Sequence, residues 1–329
     1  MILPRFLYQN CKLVIQAYLK SDKTQKYGHA YLNELESELV GKFSHTTRRK
    51  IIRTFSLNQL LALSSFTNLE NRKINELESK RNLLYWILSA LYDDLLDEKL
   101  LTTEDIDQLF NDTTSFTNPN FTTKVLIKTH EDLSNICKNK NDYLSAVTAI
   151  HKAQQKSNIQ FNINTSFEAL VDIAILKGGT SFVLFPQFLE LKNANEYSKC
   201  WYLIGVLSQM TNDLFDIYKD VKEEIYTYAN KSNDCFQIKN IYQNEVEKLK
   251  TAVKQLPIHK AQQADLFYKL SVIPAFGYLA FNNLEEIQGN NKMLPNYKTI
   301  PRNKLIIDME KPINILRLIR QAYIISKGF

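Results

Sequence analysis

The chain has 329 residues, of which 44% are hydrophobic and 23% charged, with a formal net charge of +6. This length and apolar content are enough for one large domain or two ordinary ones, each with a sizeable core. The four cysteines have no CxxC spacing and no compact framework, so they indicate neither a disulfide scaffold nor a zinc site, and the small, mostly dispersed basic excess does not favour nucleic acid as a partner.

The chain holds only eight Gly and eight Pro, and this scarcity favours long helices over strands and turns. No Gly/Ser-rich or Pro-rich linker divides the sequence, so we predict a single all-α domain over residues 1–329. Apolar residues recur at spacings of three and four in four segments, which predicts helices there. In chain order, these segments are 83–96, 167–176, 202–218 and 313–325.

The first notable segment, 42–53, is basic, and it contains Lys42, Arg48, Arg49, Lys50 and Arg53. A solvated helix face is the simplest interpretation, and a nucleic-acid patch is a second one. A third is that these side chains attract a polyanionic substrate to a nearby site. The sequence leaves all three open.

An acidic stretch, Asp93-Asp94-Leu95-Leu96-Asp97, ends the apolar run 83–96. Residues four apart lie one above the other on a helix, so Asp93 and Asp97 are expected on one face. Further along, Lys177-Gly178-Gly179-Thr180 interrupts another apolar run. Paired glycines weaken a helix, so we expect a kink or a close approach to a neighbouring element at this point.

A second acidic stretch continues the run 202–218 and reads Asn212-Asp213-Leu214-Phe215-Asp216-Ile217-Tyr218-Lys219-Asp220. The four-residue spacing predicts an oxygen-bearing stripe of Asn212, Asp216 and Asp220. If this stripe faces the first acidic stretch, the two together suit Mg²⁺, which is commonly bound by a few carboxylates with substrate phosphates. The predicted substrate therefore carries a diphosphate.

The two motifs resemble those of the class I isoprenoid synthase superfamily, the terpene synthases and trans-prenyl diphosphate synthases. The first stretch matches the DDxxD motif of that family. The second is similar to the terpene synthase motif NDxxSxxKE, with Asn212, Asp213 and Lys219 as matches. Asp216 replaces the usual Ser or Thr, and Asp220 replaces the usual Glu. The resemblance implies an antiparallel helical bundle around a central cavity, three Mg²⁺ ions and a prenyl diphosphate substrate.

The resemblance also implies roles for particular residues. Asp93 and Asp97 would bind two ions. Asp94 is also included among the metal ligands, although in the family the residue at this position more often contacts the ligands than the ion itself. Asn212, Asp216 and Asp220 would bind the third ion. Lys177 and Lys219 would hydrogen-bond the diphosphate, and Arg320 would help to close the pocket from the carboxyl-terminal helix, together with Arg317 and Tyr323.

The preferred function is a class I terpene synthase. A prenyltransferase, either chain-elongating or head-to-head, is the alternative, although the Arg pair that elongating enzymes carry shortly after DDxxD is absent from residues 98–103. A non-catalytic helical interaction protein, with both acidic stretches solvated, is the third hypothesis.

The amino terminus lacks a signal-peptide pattern, and the apolar runs 83–92 and 270–281 are too short to span a membrane. We therefore expect a cytoplasmic protein without stable membrane insertion, and the sequence leaves a homodimer open.

Overall fold

A computed structural model of the protein describes residues 23–97, 101, 102, 105, 106, 108, 119–327 and 329. These residues form α-helices with short 3₁₀ and π turns, and none of them is in a β-strand. The all-α fold class predicted from the scarcity of Gly and Pro is therefore confirmed.

The described residues form two compact units. The amino-terminal unit contains the described residues up to His151 together with Gln187–Lys192, and the carboxyl-terminal unit contains Lys152–Pro186 and Asn193–Phe329. The prediction of a single domain stays a prediction.

Helices α1 to α4 belong to the amino-terminal unit, and α5 ends just beyond it. Their bounds are α1 Lys23–Glu38, α2 His45–Asn58, α3 Glu76–Asp97, α4 Phe121–Ile136 and α5 Lys140–Lys156. Ser44 begins α2, because its hydroxyl accepts a hydrogen bond of 3.0 Å from the amide of Thr47, a typical N-cap. Helix α3 packs against α2 and α4 and is buried on nearly all sides. The acidic stretch lies at its carboxyl end, where Asp93 and Asp94 are half-exposed.

The carboxyl-terminal unit contains seven longer helices among its described residues. They are α6 Phe167–Ser181, α7 Ser198–Phe215, α8 Ile217–Lys222, α9 Cys235–Lys254, α10 Lys260–Leu270, α11 Val272–Gln288 and α12 Pro312–Lys327. Helix α7 packs against α6, α9 and α11, and its buried residues include Trp201, Leu207 and Met210. It is the central helix of this unit and it carries the first half of the second acidic stretch.

The glycines of α6 mark a close approach and not a break. The helix continues through Gly178 and Gly179 to Ser181. A Cβ atom at Gly178 would lie 2.6 Å from the carbonyl oxygen of Gly205 and 2.9 Å from the Cα of Val206, both in α7. Such distances are too short for a side chain, so glycine is required where the two backbones cross. The crossing fixes the adjacent Lys177 relative to α7.

The second acidic stretch is divided between two helices. Helix α7 ends at Phe215, Asp216 has φ −95° and ψ 4°, and α8 begins at Ile217. Backbone hydrogen bonds still run from the amide of Asp216 to the carbonyl of Asn212 at 2.9 Å and from the amide of Asp220 to that of Asp216 at 2.8 Å. The predicted helical run 202–218 is therefore interrupted at Asp216, and the four-residue backbone hydrogen bonds continue across the kink.

One stretch, Phe167–Phe188, is long and apolar enough to cross a membrane by length and composition alone. About half of its most apolar part, 56%, is buried inside the protein. The core helix of a soluble protein has the same properties, so the expected lack of membrane insertion stays a prediction.

Candidate active site

In the amino-terminal unit, the first two residues of the DDxxD stretch contact helix α2. The Lys50 ammonium lies 3.1 Å from Oδ2 of Asp93 and 3.5 Å from Oδ1 of Asp94. The hydroxyl of Thr47 donates a hydrogen bond of 2.7 Å to Oδ2 of Asp94. Burial disfavours the charge of Lys50, but the two carboxylates outweigh it and raise the pKa of this lysine. Asp97 is the last residue of α3, and its side chain lies outside the described residues.

A pocket of about 210 Å³ lies beside Asp94 in the same unit. Its lining is mostly polar and consists of Lys42, Phe43, Ser44, Thr47, Leu91, Asp94, Leu95 and Thr122. Ammonium and hydroxyl groups are suitable donors to phosphate oxygens. The pocket therefore has room and donors for a small anionic group next to the acidic stretch.

The basic segment 42–53 is divided by its contacts. Lys42 and Lys50 lie at the first acidic stretch, whereas Arg48 forms an ion pair of 2.9 Å with Glu36 in α1 and Arg53 is exposed. Lys42 and Lys50 thus lie beside the carboxylates, as expected if the basic segment attracts a polyanionic substrate to a nearby site. The others fit a solvated helix face.

In the carboxyl-terminal unit, the predicted ligands differ in exposure. Asn212 is exposed, Asp216 is half-buried and Asp220 is buried, with 8% of its surface accessible. The Lys219 side chain is 56% exposed, and its ammonium lies 3.7 Å from the carboxylate of Glu223 one turn later. An exposed pair of this kind contributes at most about 1 kcal/mol, so Lys219 is free to exchange this partner for a ligand.

Asp213 is the most deeply buried carboxylate of the stretch, with 3% of its surface accessible. Its Oδ1 accepts a hydrogen bond of 2.8 Å from the amide of Gln209, while Oδ2 has no hydrogen-bond partner among the described residues. Burial, opposed by Gln209 and Lys177 and reinforced by Asp216, raises the pKa of Asp213 to about 7. Lys177 thus acts electrostatically on Asp213, and Lys219 acts in the same direction on Asp220.

The pKa of Asp220 is raised as well. Burial and the carboxylates of Asp213 and Asp216 raise the pKa of Asp220 to about 8. Carboxylates that raise the pKa of a neighbouring carboxyl share a site with too little positive charge. A divalent cation would relieve this repulsion, and it would also give the buried oxygen of Asp213 a positive charge nearby. The residues of this stretch therefore fit a bound Mg²⁺ ion.

Within the described part of the chain, no three His, Cys, Asp or Glu side chains are grouped closely enough to hold a metal ion by themselves. Mg²⁺ normally keeps several waters and is held by one or two carboxylates together with substrate phosphates. An arrangement of fewer protein ligands is thus compatible with Mg²⁺ that arrives with a diphosphate.

Two contacts fix the end of α7 that carries Asn212 and Asp213. The hydroxyl of Tyr228 donates to the carbonyl of Met210 at 2.8 Å. The hydroxyls of Thr211 and Tyr242 are 2.8 Å apart, and Tyr242 also donates to the carbonyl of Pro274 at 3.1 Å. The acidic stretch is thus held by buried or partly buried hydrogen bonds, as a binding site requires.

Arg320 lies on the exposed face of α12, with Arg317 nearby on the same face. The buried residues of this helix are Leu318, Ile319 and Ala322, on the opposite side. Tyr323 is half-buried, with the ammonium of Lys327 4.5 Å from its ring centre. The predicted role of Arg320 in closing the pocket stays a prediction.

Of the aromatic residues near the two motifs, several belong to the core of their own unit. Phe182 and Phe185 are buried and stack on each other at 4.6 Å, and Phe185 stacks on Trp201 at 5.1 Å. Phe215, next to Asp216, is half-buried and lies 6.4 Å from the ring of Phe276. This pair combines partial exposure with proximity to the second acidic stretch, and the half-buried Tyr218 lies within the stretch itself.

Gln209 and Thr47 were not predicted to belong to the site, Asp213 was noted only as a motif match, and Lys50 was noted only as part of the basic segment 42–53. Gln209 precedes Asp213 by four residues, so the helical spacing that predicted the Asn212 stripe predicts this hydrogen bond as well. The contacts of Thr47 and Lys50 join residues more than forty positions apart. Such contacts depend on how α2 packs on α3, and local spacing gives no signal for them.

A first prediction concerns the competition between Lys50 and a metal ion. Lys50→Met removes the ammonium that contacts Asp93 and Asp94, so neither carboxylate is neutralised by it, although Asp94 keeps its hydrogen bond from Thr47. We expect Mg²⁺, titrated calorimetrically in the absence of diphosphate, to bind up to roughly fivefold more tightly, the equivalent of about 1 kcal/mol for a half-exposed pair. Lys128→Met is the matched control, because Lys128 pairs with Glu38 and Asp132 at 3.2 and 3.5 Å. Unchanged or weaker Mg²⁺ binding by Lys50→Met would contradict the prediction.

Comparison with known proteins gives few matches. No family model and no curated protein sequence matches the chain. Among solved structures, the chain is similar to a dehydrosqualene synthase crystallised with a ligand, with a TM-score of 0.44 and 12% sequence identity. This similarity covers 86% of the present chain and 99% of the other one.

Proposed function

We propose that this protein is a Mg²⁺-dependent enzyme that ionises an allylic prenyl diphosphate. The observation that carries this proposal is the charge imbalance of the second acidic stretch. Asp213 and Asp220 are buried with raised pKa values, beside Asp216. Keeping such buried carboxylates ionised is costly unless a cation is bound there for part of the working cycle.

Ionisation needs stabilisation of the negative charge that develops on the leaving diphosphate, and bound Mg²⁺ ions supply much of this as Lewis acids. The residues of the chain would hold the ions and add hydrogen bonds. Asn212, Asp216 and Asp220 would be the oxygen ligands in the carboxyl-terminal unit, and Lys177 and Lys219 would donate to the diphosphate oxygens. In the amino-terminal unit, Asp93, Asp94 and Asp97 would be the carboxylates, with Lys50 as an additional donor once it is displaced from them.

The other product of ionisation is a carbocation, which must be protected from water. Aromatic ring faces stabilise such a charge without reacting with it. Phe215 and Phe276 are the best candidates for this role, because they are partly exposed and Phe215 directly precedes Asp216.

Release of a cyclic or linear terpene is the preferred outcome, because Asn212 and Lys219 follow the terpene synthase motif. Prenyl transfer is the second candidate. It is favoured by Asp216 and Asp220, which depart from that motif and repeat the four-residue carboxylate spacing of Asp93 and Asp97. The non-catalytic interaction protein is the third, and it predicts no metal-dependent binding of pyrophosphate.

Incubation of the purified protein with geranyl, farnesyl or geranylgeranyl diphosphate and Mg²⁺ tests the proposal. Pyrophosphate release is followed by colorimetry, and the organic extract is analysed by mass spectrometry. We expect release that stops when EDTA is added. A hydrocarbon or alcohol with the carbon number of one substrate indicates a terpene synthase, and a product with the combined carbon number of two indicates prenyl transfer. The proposal fails if no substrate is consumed and calorimetry detects no Mg²⁺-dependent binding of pyrophosphate.

Asn212→Ala provides a second prediction. This substitution removes an exposed amide oxygen that is predicted to bind the ion, without touching the core. We expect a weaker apparent Mg²⁺ affinity, by roughly tenfold, the scale on which changes around metal sites act. The measurement is the Mg²⁺ dependence of pyrophosphate binding. Asn244→Ala, at an exposed position of α9 in the same unit, is the control, and equal Mg²⁺ dependence of the two variants would remove Asn212 from the ligand set.

A further inference from the structure

Helix α12 has an apolar exposed face as well as an apolar buried one. Its buried side consists of Leu318, Ile319 and Ala322, and the helix packs against α11. Three large aliphatic side chains are nevertheless strongly exposed: Ile313 at 54%, Leu316 at 61% and Ile324 at 49%. Single exposed aliphatic residues are common on soluble proteins, but three on one helix require an explanation.

These residues lie on a single stripe. At about 100° per residue, Ile313, Leu316 and Ile324 fall within roughly 80° of one another, opposite the buried side. Arg317 and Lys327 are exposed and fall on the same stripe. We call these five residues the basic face; Arg320 also falls on this stripe. No Asp or Glu occurs in Pro312–Lys327, so the face has only positive charge.

The charge of the basic face restricts what can cover it. A second copy of the same face would bring cations against cations with no carboxylate on the helix itself to compensate them, which is unfavourable. The complementary surface must therefore be anionic and must also accept aliphatic side chains. An anionic lipid bilayer provides both, because lipid phosphates lie directly above the acyl chains.

We propose that the basic face of α12 binds the surface of anionic membranes. The aliphatic residues enter the boundary between head groups and acyl chains, and the long side chains of Arg317 and Lys327 extend to the phosphates. The buried side of the helix stays packed on α11, so the protein lies on the membrane without spanning it. This binding needs neither Mg²⁺ nor a diphosphate.

The test is co-flotation of the full chain with vesicles of phosphatidylcholine, with or without phosphatidylglycerol, in buffer containing EDTA. We expect binding to the vesicles that contain phosphatidylglycerol and little binding to phosphatidylcholine alone. The charge variant Arg317→Glu/Lys327→Glu should bind at least roughly tenfold more weakly, because each basic residue contributes a significant part of the attraction. The apolar variant Leu316→Gln/Ile324→Gln should also bind more weakly, although its charge is unchanged.

Lys199→Glu/Lys292→Glu is the matched control, since both lysines are exposed in the same unit and the change in net charge is equal. It should retain binding. If this control lost as much vesicle binding as the charge variant, the effect would be due to net charge alone and the proposal would be overturned. The proposal is also overturned if the unmodified chain does not bind vesicles. It is overturned as well if gel filtration shows a concentration-dependent dimer that the apolar variant abolishes. Circular dichroism establishes that each variant is folded.

Discussion

Asp93→Asn should reduce turnover by at least about a hundredfold while the protein remains folded. The substitution halves the negative charge that Asp93 and Asp94 present and removes a predicted Mg²⁺ ligand, and the loss of one electrostatic contributor to a transition state has an effect of this size. The stability should change little. Asp93 pairs with Lys50 at 3.1 Å, but its side chain is 39% exposed, so the pair contributes at most about 1 kcal/mol to the free energy of unfolding.

Initial rates of pyrophosphate release and the urea unfolding midpoint are the two measurements. Asp132→Asn is the control, because Asp132 pairs with Lys128 in the same unit at 3.5 Å and has no predicted role in the site. It should keep full turnover. If Asp93→Asn lost stability in proportion to activity, Asp93 would be a structural residue and the metal assignment of the first stretch would be wrong.

Periodicity and composition were sufficient for the fold class and for the positions of the main helices. The run 83–96 lies within α3, the run 167–176 within α6 and the run 313–325 within α12. The predicted kink at the paired glycines was one of two alternatives, and close approach was the one found, because Gly205 of α7 leaves room for Gly178 of α6. A glycine pair alone does not distinguish these outcomes, since the partner helix decides between them.

The candidate site was predictable only in part. Helical spacing placed Asn212, Asp216 and Asp220 on one stripe, and the kink at Asp216 was not expected from it. The same spacing does not show which face is buried. Asp213 is buried because its neighbours Met210, Leu214 and Ile217 form the apolar side of this segment, and the exposed amide of Asn212 lies away from that side. Burial is set by packing against other helices, which a single sequence does not specify.

Asp213→Asn should stabilise the metal-free protein at neutral and alkaline pH. The pKa of Asp213, about 7 in the folded protein, is above the ordinary value of 3.8. The folded protein therefore binds this proton more tightly than the unfolded chain does. Stability is lost as the pH rises from about 4 to about 7, because ionisation costs more in the folded state.

The asparagine variant has no such ionisation, so its advantage over the unmodified protein should grow as the pH rises. An uncharged amide at this position keeps an acceptor for Gln209 but adds an unsatisfied buried N–H, which costs about 1–3 kcal/mol. We therefore expect the variant to be less stable or equal at pH 4. At pH 8 it should gain at least about 1 kcal/mol, since each unit of pKa shift corresponds to about 1.4 kcal/mol.

Urea unfolding in EDTA across this pH range measures the effect. Asp172→Asn, at an exposed position of α6 in the same unit, is the control. Its free energy of unfolding should change with pH in the same way as that of the unmodified protein. A constant difference between Asp213→Asn and the unmodified protein from pH 4 to pH 8 would show that Asp213 carries no destabilising charge. Added Mg²⁺ should stabilise the unmodified protein more than the variant at pH 8, because only the unmodified protein has the buried charge that the ion offsets. If Mg²⁺ stabilised both proteins equally, the charge of Asp213 would not contribute to Mg²⁺ binding. The main observation in favour of a Mg²⁺ site at the second acidic stretch would then be lost.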